Sequence, residues 1–147
     1  MVFETKEGVH LFSIVGVKNT GVPSIVERVR LRIIGDKTLS DISPHEIEEG
    51  LTYYSPDGKP FIKFDPKDSL YEKLTSVPIE RGGARQGWLR FPLSKAHVKD
   101  LLGKEFEISL KDITGKDYSV KATIEMQKPD EPVFGVPGIR NPFVKNP

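Results

Sequence analysis

The chain has 147 residues, a net charge of +1, 37% hydrophobic and 29% charged residues, and no cysteine. That length and composition suit one folded domain with an appended arm, large enough to bury a core without metal or disulfide staples. The missing cysteines exclude disulfides, thiolate metal sites and cysteine nucleophiles. The balanced charge leaves no bulk field to draw in nucleic acid or anionic lipid.

Period two dominates from the start. "VHLFSIVGVK" (Val9–Lys18) reads as a strand covered on both faces or carrying a bulge at Gly16, and "NTGVP" supplies the turn after it. "IVERVRLRII" (Ile25–Ile34) alternates, with Val29, Leu31 and Ile33 on one face and Arg28, Arg30 and Arg32 on the other, as in a half-buried antiparallel strand. "SPHEIEEG" predicts a short helix over Ser43–Glu49, with Ser43 as N-cap, Pro44 at the first position, Glu46 closing a capping box and Gly50 as the stop. Leu51–Tyr54 and Phe61–Phe64 flank "SPDG" as a hairpin.

"DPKDSLYEKL" is irregular or briefly helical, and "SVPIE" suits an edge strand because Pro78 cannot donate to a ladder. "GWLRFPL" (Gly87–Leu93) is a strand in which Trp88 and either Leu89 or Phe91 enter the core. "SKAHVKDLLG" caps at Ser94, makes two helical turns and ends at Gly103. "EFEISLKD" and "DYSVKATIEM", joined by "ITGK", form a hairpin whose second strand alternates at Tyr118, Val120, Ala122 and Ile124. Beyond Gln127 proline recurs every few residues and no period survives, so residues 1–126 form the domain and 127–147 an extended arm. About seven strands with one or two short helices predict an all-β, antiparallel, immunoglobulin-like sandwich, with a partly open barrel as the second architecture.

Chemistry is sought where residue types could converge. In "RGGARQG" the glycines lead into a strand, not a helix, and match no phosphate-loop spacing; they make a bend, and Arg81 and Arg85 are the anion-binding candidates that remain. The row Arg28, Arg30 and Arg32 would suit anions about 7 Å apart, but a solvated face paired with neighbouring acids is the expected state. His10, His45 and His97 lie far apart and "HEIEE" lacks the second histidine of a metal-binding helix, so no metal and no cofactor is expected. No "GxSxG" elbow or other catalytic motif is present, and an enzyme is not expected.

The order "VKNTG", "GG...GWLRFPLS" and "EFEISLKDITGKDYSV" resembles small bacterial immunoglobulin-like and fibronectin-like sandwich domains, many of them accessory modules or membrane-anchored. The resemblance spans most of Val9–Met126 and implies a binding or scaffolding module; it carries no catalytic residue over. The Ser43–Glu49 segment matches nothing in it.

The expected function is therefore a non-catalytic interaction domain for a protein or envelope partner, with the proline-rich arm docking or exchanging in a homodimer. The alternative is a carbohydrate or small-ligand module that stacks on Tyr53, Tyr54 and Tyr71. An enzyme with an unrecognised site is a third reading, and a phage or virion structural subunit a weaker fourth. No apolar run approaches the roughly 20 residues of a membrane helix, and "MVFETKEGVH" has no basic region followed by an apolar block. A chain stripped of an upstream signal or anchor would begin the same way. The compartment stays open between the envelope or membrane, if an anchor precedes Met1, and the cytoplasm.

Overall fold

The alternating apolar segments become two antiparallel three-stranded sheets, and each sheet commits one face to a shared core. The computed structural model describes residues 2–5, 8–47, 52–54, 60–93 and 96–125. The first sheet holds β1 (Val2–Thr5), β2 (Gly8–Lys18) and the strand Ala84–Leu93, in that spatial order. The second holds β3 (Val26–Ile33) beside a hairpin of Glu105–Asp112 and Asp117–Thr123. A separate ribbon pairs β4 (Thr52–Tyr54) with β5 (Pro60–Lys63), so the hairpin expected there forms. In chain order the remaining elements are a 3-10 turn (Pro66–Asp68), α1 (Leu70–Thr75), β6 (Ala84–Leu93), α2 (Val98–Leu101), β7 (Glu105–Asp112) and β8 (Asp117–Thr123).

β2 and β6 pair over ten consecutive positions, from Val9↔Leu93 to Lys18↔Ala84, with no slip. Gly16 therefore carries no bulge; the strand runs straight because Val15 and Val17 need the same face as Leu11. Odd-numbered residues of this ladder (Val9, Leu11, Val15, Leu89, Phe91 and Leu93) meet Val29, Leu31, Ile33, Phe106 and Ile108 of the second sheet in one buried cluster. The even-numbered face is also covered. Phe12 stacks on Phe64 with ring centroids 4.3 Å apart, and Trp88 meets Phe64 edge-on at 5.3 Å, a geometry that adds to their burial. Trp88 thus anchors a second apolar layer on the outer face, and Leu89 and Phe91 supply the inner one.

Two helix expectations change. Residues 43–47 are not helical: the His45 amide donates to the Arg90 carbonyl at 2.8 Å, and Pro44 and Ile47 are buried. A capping box contributes about 1 kcal/mol, less than burying the side chains of Ile47 and Pro44. Residues 48–50, which the expected helix included, lie outside the described set. The two helical turns expected after Ser94 contract to the single turn of α2, closed by Gly103 at φ 81°. "SVPIE" supplies one bridge, Ile79 to Ser24, in place of a strand. The arm 127–147 also lies outside the described residues.

"RGGARQG" makes the expected bend: Gly82 takes φ 79°, and β6 begins two residues later. Gly87 has a different task. Ser69 bridges to Trp88, and this brings the 68–70 backbone so close that a β-carbon at Gly87 would sit 2.6 Å from the Asp68 carbonyl oxygen. Gly87→Ala should therefore push the Asp68–Leu70 segment off β6 and cost about 1–3 kcal/mol, as overpacking does elsewhere. Urea unfolding checks this, and an unchanged midpoint would show that the segment yields freely.

Candidate functional site

Among the described residues, the core is closed on one flank and open on the other. β1 pairs with β2 only over Gly8–Leu11, and no described strand pairs with residues 13–18 on that side. β8 is likewise the outer strand of its sheet, and all seven of its residues are exposed. Its inner row, Tyr118, Val120 and Ala122, lies opposite Leu110, Ile108 and Phe106 of β7. Tyr118 is 48% and Val120 52% exposed, although both belong to the face that elsewhere forms the core. Between these two edges lies a cavity of about 500 Å³, floored by Val15, Val17, Ile108, Leu110, Tyr118 and Val120.

Backbone parity fixes what the edges offer. The Asp112 amide donates to the Lys116 carbonyl at 3.0 Å and the Ile124 amide to the Lys104 carbonyl at 2.8 Å. Antiparallel pairs alternate, so even-numbered residues of β8 bond to β7, and Asp117, Ser119, Lys121 and Thr123 direct their N–H and C=O groups away from the sheet. On β2 the Asn19 amide donates to the Gly83 carbonyl at 2.9 Å. By the same alternation Ser13, Val15 and Val17 bond to β6, and Ile14, Gly16 and Lys18 direct theirs outward. The cavity is a largely apolar slot between two strand edges whose outward backbone groups pair with no other described strand.

Two polar hubs fix its end. Asn19 donates from Nδ2 to the Val22 and Ile79 carbonyls at 2.7 and 2.6 Å and accepts at Oδ1 from the Gly21 amide at 2.9 Å. Its own carbonyl accepts from the Gly82 amide at 2.7 Å, which ties the glycine bend to the end of β2. Asp112 holds the β7–β8 turn: Oδ1 accepts from the Thr114 hydroxyl at 2.6 Å and from the Thr114 and Lys116 amides at 2.9 and 3.0 Å. The Thr114 hydroxyl bond, with these amides, holds the Asp112 carboxyl below its ordinary value. Its stabilising contribution is present above the ordinary carboxylate range and is lost as pH falls through the lowered value.

The residues singled out in the sequence lie elsewhere. Arg32 donates from Nε to Glu107 on β7 at 2.8 Å, and Arg30 to Asp41 at 3.0 Å. Arg28 faces Lys111 across the β3–β7 register. Two members of the row are thus committed to acids on the solvated outer face. Arg81 is exposed in the glycine turn; Arg85, half-buried opposite Val17, donates from Nη1 to the Ala84 carbonyl at 3.0 Å. Tyr71 is half-buried against the core, and the side chains of Tyr53 and Tyr54 lie outside the described set. The tyrosine that does line the cavity is Tyr118.

Among the described residues no three His, Asp or Glu side chains gather where a metal could sit, and no helix is long and apolar enough to cross a membrane. Arg90, missed in the sequence, is buried on the outer layer, where Nη1 donates to the Glu46 carbonyl at 3.1 Å and Nε to His10 Nδ1 at 3.4 Å. Asp68 is buried, and its Oδ2 has no hydrogen-bond partner among the described residues. Burial, with the nearby charge of Asp65, pushes its carboxyl above the ordinary value. Comparison of the chain with protein-family models, with curated proteins and with solved structures finds no match.

Asp68 and Asp112 oppose each other in pH dependence. A carboxyl raised in the folded state costs stability once pH rises through its shifted value and costs nothing below the ordinary range. Asp68→Asn should therefore raise Tm at pH 7, with the gain vanishing below about pH 4. Thermal unfolding across pH checks this; a lower Tm at pH 7 would mean that the carboxylate has a partner in solution.

Proposed function

We propose that the chain is a non-catalytic interaction domain of the immunoglobulin-like kind, and that its open flank receives an extended apolar segment of a protein partner by strand addition. The pairing orders β1-β2-β6 and β3-β7-β8 support the fold. They correspond to strands A-B-E and C-F-G of that sandwich, with residues 34–83 standing where its fourth strand would connect. The observation that carries the function is the slot of about 500 Å³ bordered by two outward-directed strand edges. A strand entering it gains backbone hydrogen bonds along β8 and inserts alternate side chains against Val15, Leu110 and Val120.

The same cavity volume favours a second reading, an apolar small ligand, because about 300–1,000 Å³ is usual for such sites. A small ligand would use the apolar floor and leave the β8 edge amides unpaired. A strand uses both.

A random-peptide display library selected on the full chain, with the Val120→Lys variant as counter-selection, tests the reading. Enriched sequences should alternate apolar and polar residues and bind with micromolar dissociation constants. Binding to Val120→Lys should fall at least tenfold, because a lysine on the slot floor must either carry charge into an apolar site or swing out. Library output that does not distinguish the two chains would contradict strand addition.

A further inference from the structure

We infer that the outer edge of β8 is the interface of a homodimer, in which β8 of one protomer pairs antiparallel with β8 of its partner about a two-fold axis through Ser119. On the reading that this edge accepts a strand, on which the inference rests, the strand is that of a second copy. β8 is the outer strand of its sheet, and all seven of its residues are exposed. Asp117, Ser119, Lys121 and Thr123 direct their backbone groups outward, because the even-numbered residues bond to β7. Outward groups meet outward groups only when odd-numbered residues face odd-numbered residues. A symmetric pairing of β8 with itself therefore sets one of its residues opposite the same residue of the second copy.

Charge selects which residue that is. β8 carries Asp117 and Lys121 on its solvated face, opposite Lys111 and Glu107 of β7. A pairing centred on Ser119 sets Asp117 of each protomer opposite Lys121 of the other, so symmetry supplies two opposite-charge contacts. Centring on Asp117 or on Lys121 sets like charges opposite each other. Centring on Tyr118 or on Val120 leaves the aspartate and the lysine opposite uncharged residues. The Ser119 register also continues a pattern already present. Arg32 donates to Glu107 at 2.8 Å, Glu107 lies opposite Lys121, and Lys121 then meets Asp117 of the second copy, which lies opposite its own Lys111. The sign alternates from β3 of one protomer to β7 of the other. On the inner face Tyr118 comes opposite Val120 of the second copy, and both are about half exposed in the single chain, at 48% and 52%. An aromatic ring beside a β-branched side chain is a favourable cross-strand pair. The second copy's Tyr118 and Val120 thereby extend the apolar row of β8 over the slot. A lysine on an edge strand ordinarily discourages pairing. Here it admits one register and opposes the others.

Sedimentation equilibrium of the full chain and of two variants, Lys121→Asp and Asp117→Lys, is the test. Each variant replaces two opposite-charge contacts by two like-charge ones, and each should self-associate at least about tenfold more weakly than the natural chain. An equimolar mixture of the two should recover the association, because a heterodimer restores both contacts. Impaired folding of either variant cannot produce that recovery. The absence of native cysteine allows a second readout. Ser119→Cys places its thiol and that of the second copy on Cα atoms about 5.5 Å apart, within the range that a disulfide spans, and should oxidise to a covalent dimer. Lys121→Cys lies about 13 Å along the strand from its own copy and should not. A natural chain that stays monomeric at every concentration, a mixture no tighter than either variant alone, or cross-linking at position 121 as ready as at 119 would each overturn the inference.

The outcomes separate this inference from the reading it rests on. If library peptides bind the natural chain and no dimer forms, the β8 edge accepts strands but not its own copy, and the homodimer alone is refuted. If the mixed variants associate and no peptide is enriched, the second copy is the occupant of the edge and no outside partner is served.

Discussion

The ten-position ladder between β2 and β6 is the constraint on which the rest depends. Because it runs without a slip, every odd-numbered residue falls on the inner face and every even-numbered one on the outer face. A shift of one position would put Phe12 and Trp88 into the core and Leu11 and Leu89 outside. The inner face is closed by β3 and β7. The outer face is covered by the Phe64 ring, which stacks on Phe12 and meets Trp88 edge-on, while His45 and Ser69 bridge by their backbones to the edge of β6 away from β2. One sheet thus holds two apolar layers, and its longest strand outruns the partner on its free side. The open flank is a consequence of that mismatch in length: β2 extends to Lys18, and β1 accompanies it only as far as Leu11.

Polar chemistry in the molecule is concentrated where the chain must turn. Asn19, Asp112 and Asp36 each gather amides or hydroxyls around one side-chain oxygen, and each stands at a loop that ends a strand. Asn19 and Asp112 bracket the slot, so its width is set by hydrogen-bonded turns that water alone would not hold in place. Two of the three arginines in the row on β3, Arg30 and Arg32, are paired to Asp41 and Glu107 at the outer surface. The slot is lined mainly by apolar side chains, with Lys18, Asn19, Ser24, Asp112 and Lys116 also on its wall. The proposed strand addition would draw on the apolar side chains and on the edge backbone groups.

Strands were legible because their period is local: Val29, Leu31 and Ile33, or Phe106, Ile108 and Leu110, declare their buried face without reference to anything distant. The final hairpin was legible for the same reason, with "ITGK" between two alternating runs. The segment 43–47 was misread because its capping signals are local, whereas the burial of Ile47 and the bond from His45 to Arg90 are not. Gly87 looked like part of a flexible cluster; its real constraint, the Asp68 carbonyl pressed against it, comes from a segment nearly twenty positions earlier. The slot itself was hidden. Tyr118 and Val120 alternate as core residues do, and only the pairing of distant strands reveals that nothing described covers them.

The most direct measurement is residue-resolved amide hydrogen exchange along β2. Both parities should be protected from Val9 to Leu11, where β1 and β6 flank the strand. From Ser13 to Lys18 protection should alternate, with Ser13, Val15 and Val17 slow and Ile14, Gly16 and Lys18 fast. Slow exchange at every position from Ser13 to Lys18 would mean that a strand already lies along that edge, and the account of an open flank would be wrong.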